Sequence, residues 1–388
     1  MRSARYNMIA AGSSTTICCL SIALAVSLIS HLSPAFAGGS VLQSMEHEFQ
    51  AIVKSVQPSV VEIIATCTVD APRISRNGKG LLVDDLTAAN CHQNIGSGII
   101  IDSGGHIITT AAVVKDADQI EVVFADGRRT LGELLEVDPL TDIAVLSVES
   151  ENLPQTKIGD SDQIDTGSWV ITVGSSYGHS PTLSLGIVSG MEILPNRPFY
   201  DAIKINAPVN PGNSGGAVVN TSGEVIGVIA ATLAEPYVNH ISQRLDFTSP
   251  GFSQGQSPIL GAEALPGQVW MKGEISFAIP IKAVKHIADQ LVQYGKVSRG
   301  WLGVRLEQEN ERTTAAGVRV TEVVENNPAQ RAGIKPEDVI VEFNGKPVRT
   351  FLELRKLVAN ALPDTRATIK IRRNEKLLQR EVVLGEMK

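Results

Sequence analysis

The sequence has few of the residue types that form metal clusters or disulfide scaffolds. Its 388 residues include 4 cysteines and 7 histidines, and these are not grouped at the spacing of a zinc site. It also lacks a glycine-rich loop for nucleotide phosphates and any dense run of lysine and arginine. Residues 38–299 carry 28 acidic against 16 basic side chains. We therefore expect no metal and no cofactor, and the acidic charge argues against a nucleic-acid partner.

The first 37 residues differ in character from the rest of the chain. Two arginines precede an uncharged apolar run over residues 17–32, and Ala35, Phe36 and Ala37 supply the small residues that signal peptidase recognises. This order predicts a cleaved signal peptide over residues 1–37, and hence a periplasmic or secreted protein with no stable membrane span after cleavage. The alternative is a retained anchor, because the apolar stretch is long enough to cross a bilayer.

Two of the four cysteines, Cys18 and Cys19, would be removed with this predicted signal. Cys67 and Cys91 remain, and an even pair in an oxidising compartment favours a disulfide. We predict that Cys67 bonds to Cys91 and closes a turn-rich insertion over residues 67–91. This bond would restrict the conformations of the unfolded chain and thereby stabilise the fold by about 3 kcal/mol. The alternative is a pair of free thiols.

Most of the chain up to residue 280 is predicted to be β-structure. Spaced apolar residues over 41–57 favour an amphipathic helix that ends before Pro58. From residue 60 onward, short β-rich segments alternate with turn residues at intervals of about ten, which is typical of an all-β sandwich or barrel. Residues 234–273 lose this pattern and are rich in Ser, Gly, Gln and Pro, which predicts a long loop insertion.

A second domain is predicted after residue 299. Apolar residues recur at helical spacing over residues 281–294, and Gly295 follows them, so residues 281–299 are predicted to form a connector helix. Residues 300–388 then alternate strands with two helices. Their net charge of +3 contrasts with −12 over residues 38–299. The change in pattern and charge places a domain boundary here.

The segment NPGNSGGAVV, residues 210–219, presents Ser214 among glycines and small residues. Such a turn exposes a serine hydroxyl and directs nearby backbone N–H groups at a developing oxyanion. The hydroxyl attacks a carbonyl efficiently only when a neighbouring base removes its proton. We predict Ser214 as a nucleophile and Gly212, Asn213 and Ser214 as an oxyanion hole. The alternative is a tight turn that only the fold requires.

With its surroundings, this segment resembles the HtrA family, the DegP-like trypsin-fold proteases with C-terminal PDZ domains. The resemblance covers about residues 45–388 and rests on the segments PSVVEI, GSGIIID, DPLTDIAVL, NPGNSGGAVVN, SFAIP and RGWLGV. It implies a mainly β fold, with a chymotrypsin/trypsin-like double β-barrel over residues 38–280 and an α+β PDZ domain over residues 300–388. It also implies that Ser214 is the nucleophile and that Asp142 orients the base.

The histidine that serves the family as general base has no counterpart here. The family segment G-Y-I-V-T-N-N-H-V-V matches GHIITTAAVV without gaps, and its histidine falls on Ala112. Two other histidines are candidates to substitute for it, and a third lies too far along its strand. His179 follows a strand on the side of the active site and is the strongest of them, and His92 lies in the insertion over residues 67–91. His106 is about 20 Å of strand away from the required position.

The resemblance also places a peptide-binding groove in the C-terminal domain. PDZ domains bind extended peptides at a sheet edge and hold the terminal carboxylate with backbone N–H groups of a turn. The groove is predicted between a glycine-containing turn and a helix over residues 351–362. The residues that we expect to line it are Trp301, Leu302, Gly303, Val304, Leu354 and Val358. The alternative is a closed groove that serves only intramolecular packing.

Two hypotheses from different classes follow. The first is a degenerate protease, or pseudoprotease, that binds peptides, protein C-termini or unfolded proteins without hydrolysis because the general base is missing. In this case Asp142 and Ser214 persist because they support the fold. The second is an active serine endopeptidase of the same family, in periplasmic protein quality control, with a displaced base. In either case the resemblance implies a homotrimer or a higher oligomer.

Overall fold

The computed structural model of the protein divides the chain into two compact units, residues 1–51 and 52–388. The residues that it describes are 38–67, 74–77, 80–83, 93–176, 179–210, 212–230, 275–307 and 317–387. The predicted signal peptide over residues 1–37, the predicted loop over residues 234–273 and Cys91 lie outside them. Among the helices in the described part of the chain, none is both long and apolar enough to cross a membrane.

Helix α1 (Gly38–Val56) corresponds to the amphipathic helix predicted over residues 41–57. A single 3-10 turn, Gln57–Ser59, follows it. Pro58 in this turn lacks an N–H and cannot continue the helical hydrogen bonding, so the helix ends here. The Ser59 hydroxyl donates to the Val56 carbonyl oxygen at 2.7 Å, which satisfies one of the carbonyls left without a partner at a helix end.

The first β-barrel consists of six strands: β1 (Val60–Thr66), β4 (Gln93–Ile100), β5 (His106–Thr110), β6 (Gln119–Val123), β7 (Arg129–Asp138) and β8 (Ile143–Val148). They close the barrel in the spatial order β1-β4-β5-β8-β7-β6. The short helix α2 (Ala111–Val114) follows β5. Between β1 and β4, the strands β2 (Ile74–Asn77) and β3 (Gly80–Val83) pair as an antiparallel hairpin. The barrel core contains fully buried Ile63, Ile107 and Leu146.

A second barrel has the order β13-β10-β11-β12-β15-β14 and closes through the pairing of β13 with β14. Strand β9 adds to β14 in parallel. The strands are β9 (Lys157–Ile158), β10 (Trp169–Ser176), β11 (His179–Leu194), β12 (Arg197–Asn206), β13 (Ala217–Val219), β14 (Glu224–Ile229) and β15 (Ser276–Pro280). Its core contains Ile203, Ile205 and Ile229. The predicted double β-barrel is therefore confirmed.

Helix α3 (Ile281–Tyr294) follows the second barrel. It ends at Gly295, which adopts a left-handed conformation with φ of 65° and donates its N–H to the Leu291 carbonyl oxygen. Glycine takes this conformation without steric cost, which makes it a common helix terminator. The helical spacing over residues 281–294 and the stop at Gly295 are therefore confirmed, and residues 295–299 of the predicted connector lie beyond the helix.

The C-terminal domain is an α+β unit, as predicted. It consists of β16 (Gly300–Trp301), β17 (Val304–Leu306), β18 (Val318–Val323), α4 (Pro328–Arg331), β19 (Val339–Phe343), β20 (Lys346–Pro347), α5 (Phe351–Ala359), β21 (Arg366–Arg373), β22 (Lys376–Val383) and β23 (Gly385–Glu386). Thr350 and Glu353 cap α5 reciprocally. The helix ends at Ala359 and not at Leu362 as predicted, because the chain tightens here: the Ala361 N–H donates to the Val358 carbonyl oxygen, three residues back, at 3.2 Å.

The C-terminal domain packs against strand β12 of the second barrel. The ammonium group of Lys356 contacts both carboxylate oxygens of Asp201 at 2.6 Å, and the Asn360 amide donates to the Phe199 carbonyl oxygen at 2.9 Å. The Phe199 ring lies 4.9 Å from the guanidinium carbon of Arg299, a distance typical of a cation–π contact. Residues of α5 and of the segment after α3 therefore share one strand of the barrel.

An ion pair between a buried carboxylate and a partly exposed arginine stabilises the C-terminal domain. Asp338 exposes 1% of its surface, and the Nε and Nη2 atoms of Arg373 donate to its two carboxylate oxygens at 2.7 and 2.8 Å. Burial raises the pKa of the Asp338 carboxyl, but the hydrogen bonds from Arg373 and from the Lys335 N–H outweigh this effect and leave the pKa below its usual value. The charged form of Asp338 is thus favoured by the folded state.

We expect Arg373→Met to lower the free energy of unfolding by about 2 kcal/mol at neutral pH, the cost of losing hydrogen bonds to a buried charge. The folded pKa of Asp338 is depressed, so this contribution is present above the unfolded pKa of about 3.9 and is lost as the pH falls through the folded pKa. Urea denaturation of the full chain at several pH values measures it. Arg366→Met, at an exposed position of the same strand, is the control. If the difference in unfolding free energy between wild type and Arg373→Met stayed constant below about pH 4, the pKa of Asp338 would not be depressed by Arg373.

Candidate functional site

Ser214 lies in a tight turn between β12 and β13. Gly212 and Gly215, which flank it, have φ values of 94° and 85°, in the region that favours glycine. The N–H of Asn213 donates to the Asn210 carbonyl oxygen at 3.0 Å, and the N–H of Gly216 donates to the Asn213 carbonyl oxygen at 2.9 Å. Ser214 itself is half-buried. The glycines of the GNSGG segment are thus required by the backbone path of this turn.

Ser97, on β4 of the first barrel, fixes the Ser214 turn in place. Its N–H donates to the Ser214 carbonyl oxygen at 2.8 Å. Its hydroxyl donates to the Gly212 carbonyl oxygen at 2.7 Å and accepts the N–H of Ser175 at 2.7 Å. The Ser97 side chain is completely buried, so these bonds are shielded from water. One serine of the first barrel therefore binds both the predicted nucleophile turn and strand β10.

Asn213, predicted as part of the oxyanion hole, is also fully enclosed. It exposes 1% of its surface, and its side-chain oxygen accepts the Thr182 hydroxyl at 2.6 Å. Thr182 comes from β11 and carries no motif that sequence analysis could have detected. The bond anchors the residue that precedes Ser214 to the wall of the second barrel.

Asp142 contacts Ala112, the residue at the predicted position of the general base. Its Oδ1 atom accepts the backbone N–H of Ala112 at 3.0 Å, and its carbonyl oxygen accepts the N–H of Ala111 at 3.1 Å. Asp142 exposes 1% of its surface and has a φ of 65°. The structure thus brings Asp142 and Ala112 together, and the side chain that Ala112 offers there is a methyl group.

Two residues of β12 that sequence analysis did not identify hold the loop that carries Asp142. The Nη1 atom of Arg197 donates to the Pro139 carbonyl oxygen at 2.7 Å, and its Nη2 atom lies 3.9 Å from Asp142 Oδ2. The Tyr200 hydroxyl donates to the Thr141 carbonyl oxygen at 3.0 Å. Burial raises the pKa of the Tyr200 phenol, which stays neutral.

The loop is fixed at its other end by Asp138. This buried carboxylate accepts both the Thr141 hydroxyl and the guanidinium of Arg299, which is itself buried. Charge-assisted hydrogen bonds of this kind are stronger than neutral ones. The loop over residues 138–142 is therefore held at both ends, by Arg299 and by β12.

The histidines whose side chains the structure describes in the barrels and in α3 have partners elsewhere. His106 Nδ1 lies 2.7 Å from Asp102 Oδ2 at the start of β5, whereas Ala112 lies beyond the other end of this strand. Burial raises the pKa of the Asp102 carboxyl, but hydrogen bonds from His106 outweigh this and lower it. His286 Nε2 lies 3.0 Å from the Gln290 side-chain nitrogen. The His179 side chain and His92 lie outside the described part of the chain.

The six residues predicted to line the PDZ groove do line one cavity of about 270 Å³. Gly303 has a φ of 80°, which shapes the turn at one end, and Leu354 and Val358 are buried on the facing helix. The full lining is Phe199, Gly300, Trp301, Leu302, Gly303, Val304, Leu306, Phe351, Leu354, Arg355, Val358, Ala359 and Met387. Phe199, which comes from the second barrel, was not predicted because no motif links it to this domain.

We expect Gly215→Ala to destabilise the protein more than Gly127→Ala. Both glycines have nearly the same positive φ, 85° and 86°, so the conformational strain of an alanine is matched at about 1 to 2 kcal/mol. A Cβ at Gly215 would collide with the Ser97 carbonyl oxygen, whereas a Cβ at Gly127 would meet nothing within 4 Å. Chemical denaturation of both variants should show an additional loss of at least about 2 kcal/mol for Gly215→Ala. Equal losses of unfolding free energy in the two variants would mean that Gly215 is not in close contact with the Ser97 carbonyl oxygen of β4.

Comparisons with known proteins agree with this architecture. Residues 96–228 match the family described as trypsin-like peptidase domain, and residues 300–384 match the PDZ domain. A probable periplasmic serine endoprotease DegP-like of Pseudomonas putida (strain W619) is 35% identical over 303 residues, covering 76% of this chain and 56% of that protein. The corresponding protein of Chlamydia muridarum is 33% identical, covering 75% and 54%. The chain thus spans about half the length of these curated relatives.

Solved structures show the same likeness. The HtrA-type protease AlgW with tripeptide has a TM-score of 0.65 at 27% identity, covering 88% of this chain and 97% of that chain. The serine endoprotease from Yersinia pestis has a TM-score of 0.58 at 27% identity, covering 88% and 98%. With a double barrel, a GNSGG turn against β4 and a C-terminal PDZ domain, the chain has the architecture of HtrA/DegP-like trypsin-fold proteases and is similar to them along both domains.

Proposed function

We propose that this protein is an exported HtrA-like pseudoprotease that binds peptides or client chains and does not hydrolyse them. The observation that carries the proposal is the Ala112 methyl group beside the Asp142 carboxylate. The predicted nucleophile and the predicted orienting aspartate are both present, but position 112 has no imidazole to take the Ser214 hydroxyl proton and pass it to the leaving group. The protein would therefore act by recognition through its PDZ domain and its inert cleft.

The chemical argument concerns the Ser214 hydroxyl proton. A serine hydroxyl is a weak nucleophile at neutral pH, and in a Ser-His-Asp triad the imidazole removes its proton and later returns it to the leaving amine. Loss of the histidine alone lowers the turnover number of such enzymes by about a million-fold. The residual acceleration comes from the oxyanion hole and from substrate binding, which is too small for physiological proteolysis.

Recognition would occur at the cavity between the Trp301–Val304 turn and α5. Its lining is mostly apolar, so it suits an apolar side chain at the end of an extended peptide. The backbone N–H groups of the glycine-containing turn would bind the terminal carboxylate. Arg355, also on the lining, adds a positive charge at the rim that would favour an anionic peptide end.

The likeness to periplasmic relatives and the predicted signal peptide support a periplasmic or secreted location. Relatives at 33–35% identity are named periplasmic serine endoproteases. In that oxidising compartment Cys67, half-buried at the end of β1, would pair with Cys91. A homotrimer or larger oligomer remains part of the proposal on the basis of family resemblance.

The alternative is an active endopeptidase with a displaced base. It is favoured by the retention of Asp142 and the GNSGG turn, together with the names of the relatives. This alternative requires an imidazole that reaches the Ser214 hydroxyl from elsewhere, and His179 and His92 are the residues that could supply it.

We expect the mature chain to leave casein intact under conditions in which an active family member degrades it. The measurement is the release of acid-soluble fragments over several hours, with Ser214→Ala as the control for contaminating proteases. Cleavage that disappears in Ser214→Ala would refute the pseudoprotease proposal. The variants His179→Ala and His92→Ala would then identify the displaced base.

We expect the protein to bind a decapeptide with an apolar last residue at least about tenfold more tightly than the same peptide with an amidated C-terminus. The carboxylate accepts charge-assisted hydrogen bonds worth about 1.5 to 3 kcal/mol, and the amide does not. Fluorescence anisotropy with both peptides measures the ratio. Equal affinities would show that the groove does not bind peptide C-termini.

A further inference from the structure

We infer that the Arg197 guanidinium is paired with the Asp142 carboxylate. A histidine introduced at position 112 would therefore not by itself produce proteolysis. This inference rests on the proposed function, since it concerns how the site stays inactive. It names Arg197 as a positioning residue that acts through Asp142. No sequence motif of the trypsin fold points to this residue.

The two carboxylate oxygens of Asp142 have different surroundings. Oδ1 accepts the Ala112 N–H at 3.0 Å, and Oδ2 faces the Arg197 guanidinium at 3.9 Å. In a Ser-His-Asp triad, the aspartate accepts the Nδ1–H of the imidazole, which fixes its tautomer and orientation. Because Oδ1 is engaged by the backbone, Oδ2 is the oxygen that an imidazole at position 112 would need.

Arg197 is held at this place by the fold. Its Nη1 atom donates to the Pro139 carbonyl oxygen at 2.7 Å, three residues before Asp142, and its side chain is 19% exposed. The Nε atom is buried and has no hydrogen-bond partner among the described residues. Asp142 is therefore the anion that balances a largely buried cation.

The other charged groups around the loop over residues 138–142 do not neutralise the positive charge of Arg197. Asp138 is the next carboxylate in the loop, but it is engaged by Arg299. Tyr200 lies between β12 and the loop with a neutral phenol. A cation this close disfavours the imidazolium form that a general base must adopt when it accepts the serine proton. An introduced imidazole would thus lose both its orienting acceptor and part of its basicity.

The experiment compares Ala112→His with the double variant Ala112→His/Arg197→Gln in the full mature chain. Glutamine removes the charge but keeps an N–H donor for the Pro139 carbonyl. The probe is a fluorophosphonate, with which the Ser214 oxygen forms a bond to phosphorus as fluoride leaves and the imidazole takes the hydroxyl proton. We expect Ala112→His to label less than about tenfold faster than wild type, and the double variant about 100-fold faster than Ala112→His.

Three further variants make the outcome specific. Ala112→His/Arg128→Gln removes an exposed arginine of the first barrel and should label as slowly as Ala112→His. Ala112→His/Arg197→Lys keeps a cation at position 197 and should also remain slow. Adding Ser214→Ala should abolish labelling in every background.

Two results would overturn the inference. One is labelling by Ala112→His alone that is about 100-fold above wild type, which holds whether or not the double variant folds. The other is a folded double variant, verified by its thermal transition, that labels no faster than Ala112→His. If Arg197→Gln unfolds the chain, Arg197→Met, which keeps the aliphatic stem, takes its place. Hydrolysis by the wild-type chain is a separate result that refutes the proposed function and leaves this comparison intact.

Discussion

The buried carboxylate of Asp142 is the constraint on which the candidate site depends. An isolated ionised carboxylate in a protein interior costs several kcal/mol unless hydrogen bonds and an opposite charge compensate it. Here the N–H of Ala112 supplies the first and Arg197 the second. This need for compensation is the same whether or not an imidazole lies beside the carboxylate. The contacts of Asp142 therefore give it a place in the fold that does not depend on catalysis.

The turn that carries Ser214, the predicted nucleophile, likewise has a role in the fold. Ser97 of the first barrel binds the backbone on both sides of Asn213 and also binds β10 of the second barrel. The glycines next to Ser214 permit this contact because a Cβ at Gly215 would overlap with Ser97. The GNSGG segment is thus part of the contact between two barrels. Its presence is evidence for the trypsin fold before it is evidence for catalysis.

Strand β12 links the candidate site to the PDZ domain because successive side chains of a strand point to opposite faces. Tyr200 points toward the loop over residues 138–142, whereas its neighbours Phe199 and Asp201 meet the PDZ domain. Arg299, just before the PDZ domain, reaches the same loop through Asp138. The groove and the candidate site thus share one strand and one loop.

The sequence by itself determined the β-rich domain, the α+β domain after residue 299, the position of Ser214 and the absence of a histidine at position 112. These are local properties, since turn residues, side-chain periodicity and motif spacing act over a few neighbouring positions. Only the tertiary structure decided that Ser97 binds Gly212 across 115 residues, that Arg197 reaches the loop of Asp142 across 58, and that Phe199 enters the PDZ groove. Such contacts depend on barrel closure and domain packing, which bring together side chains that carry no common signal in the sequence.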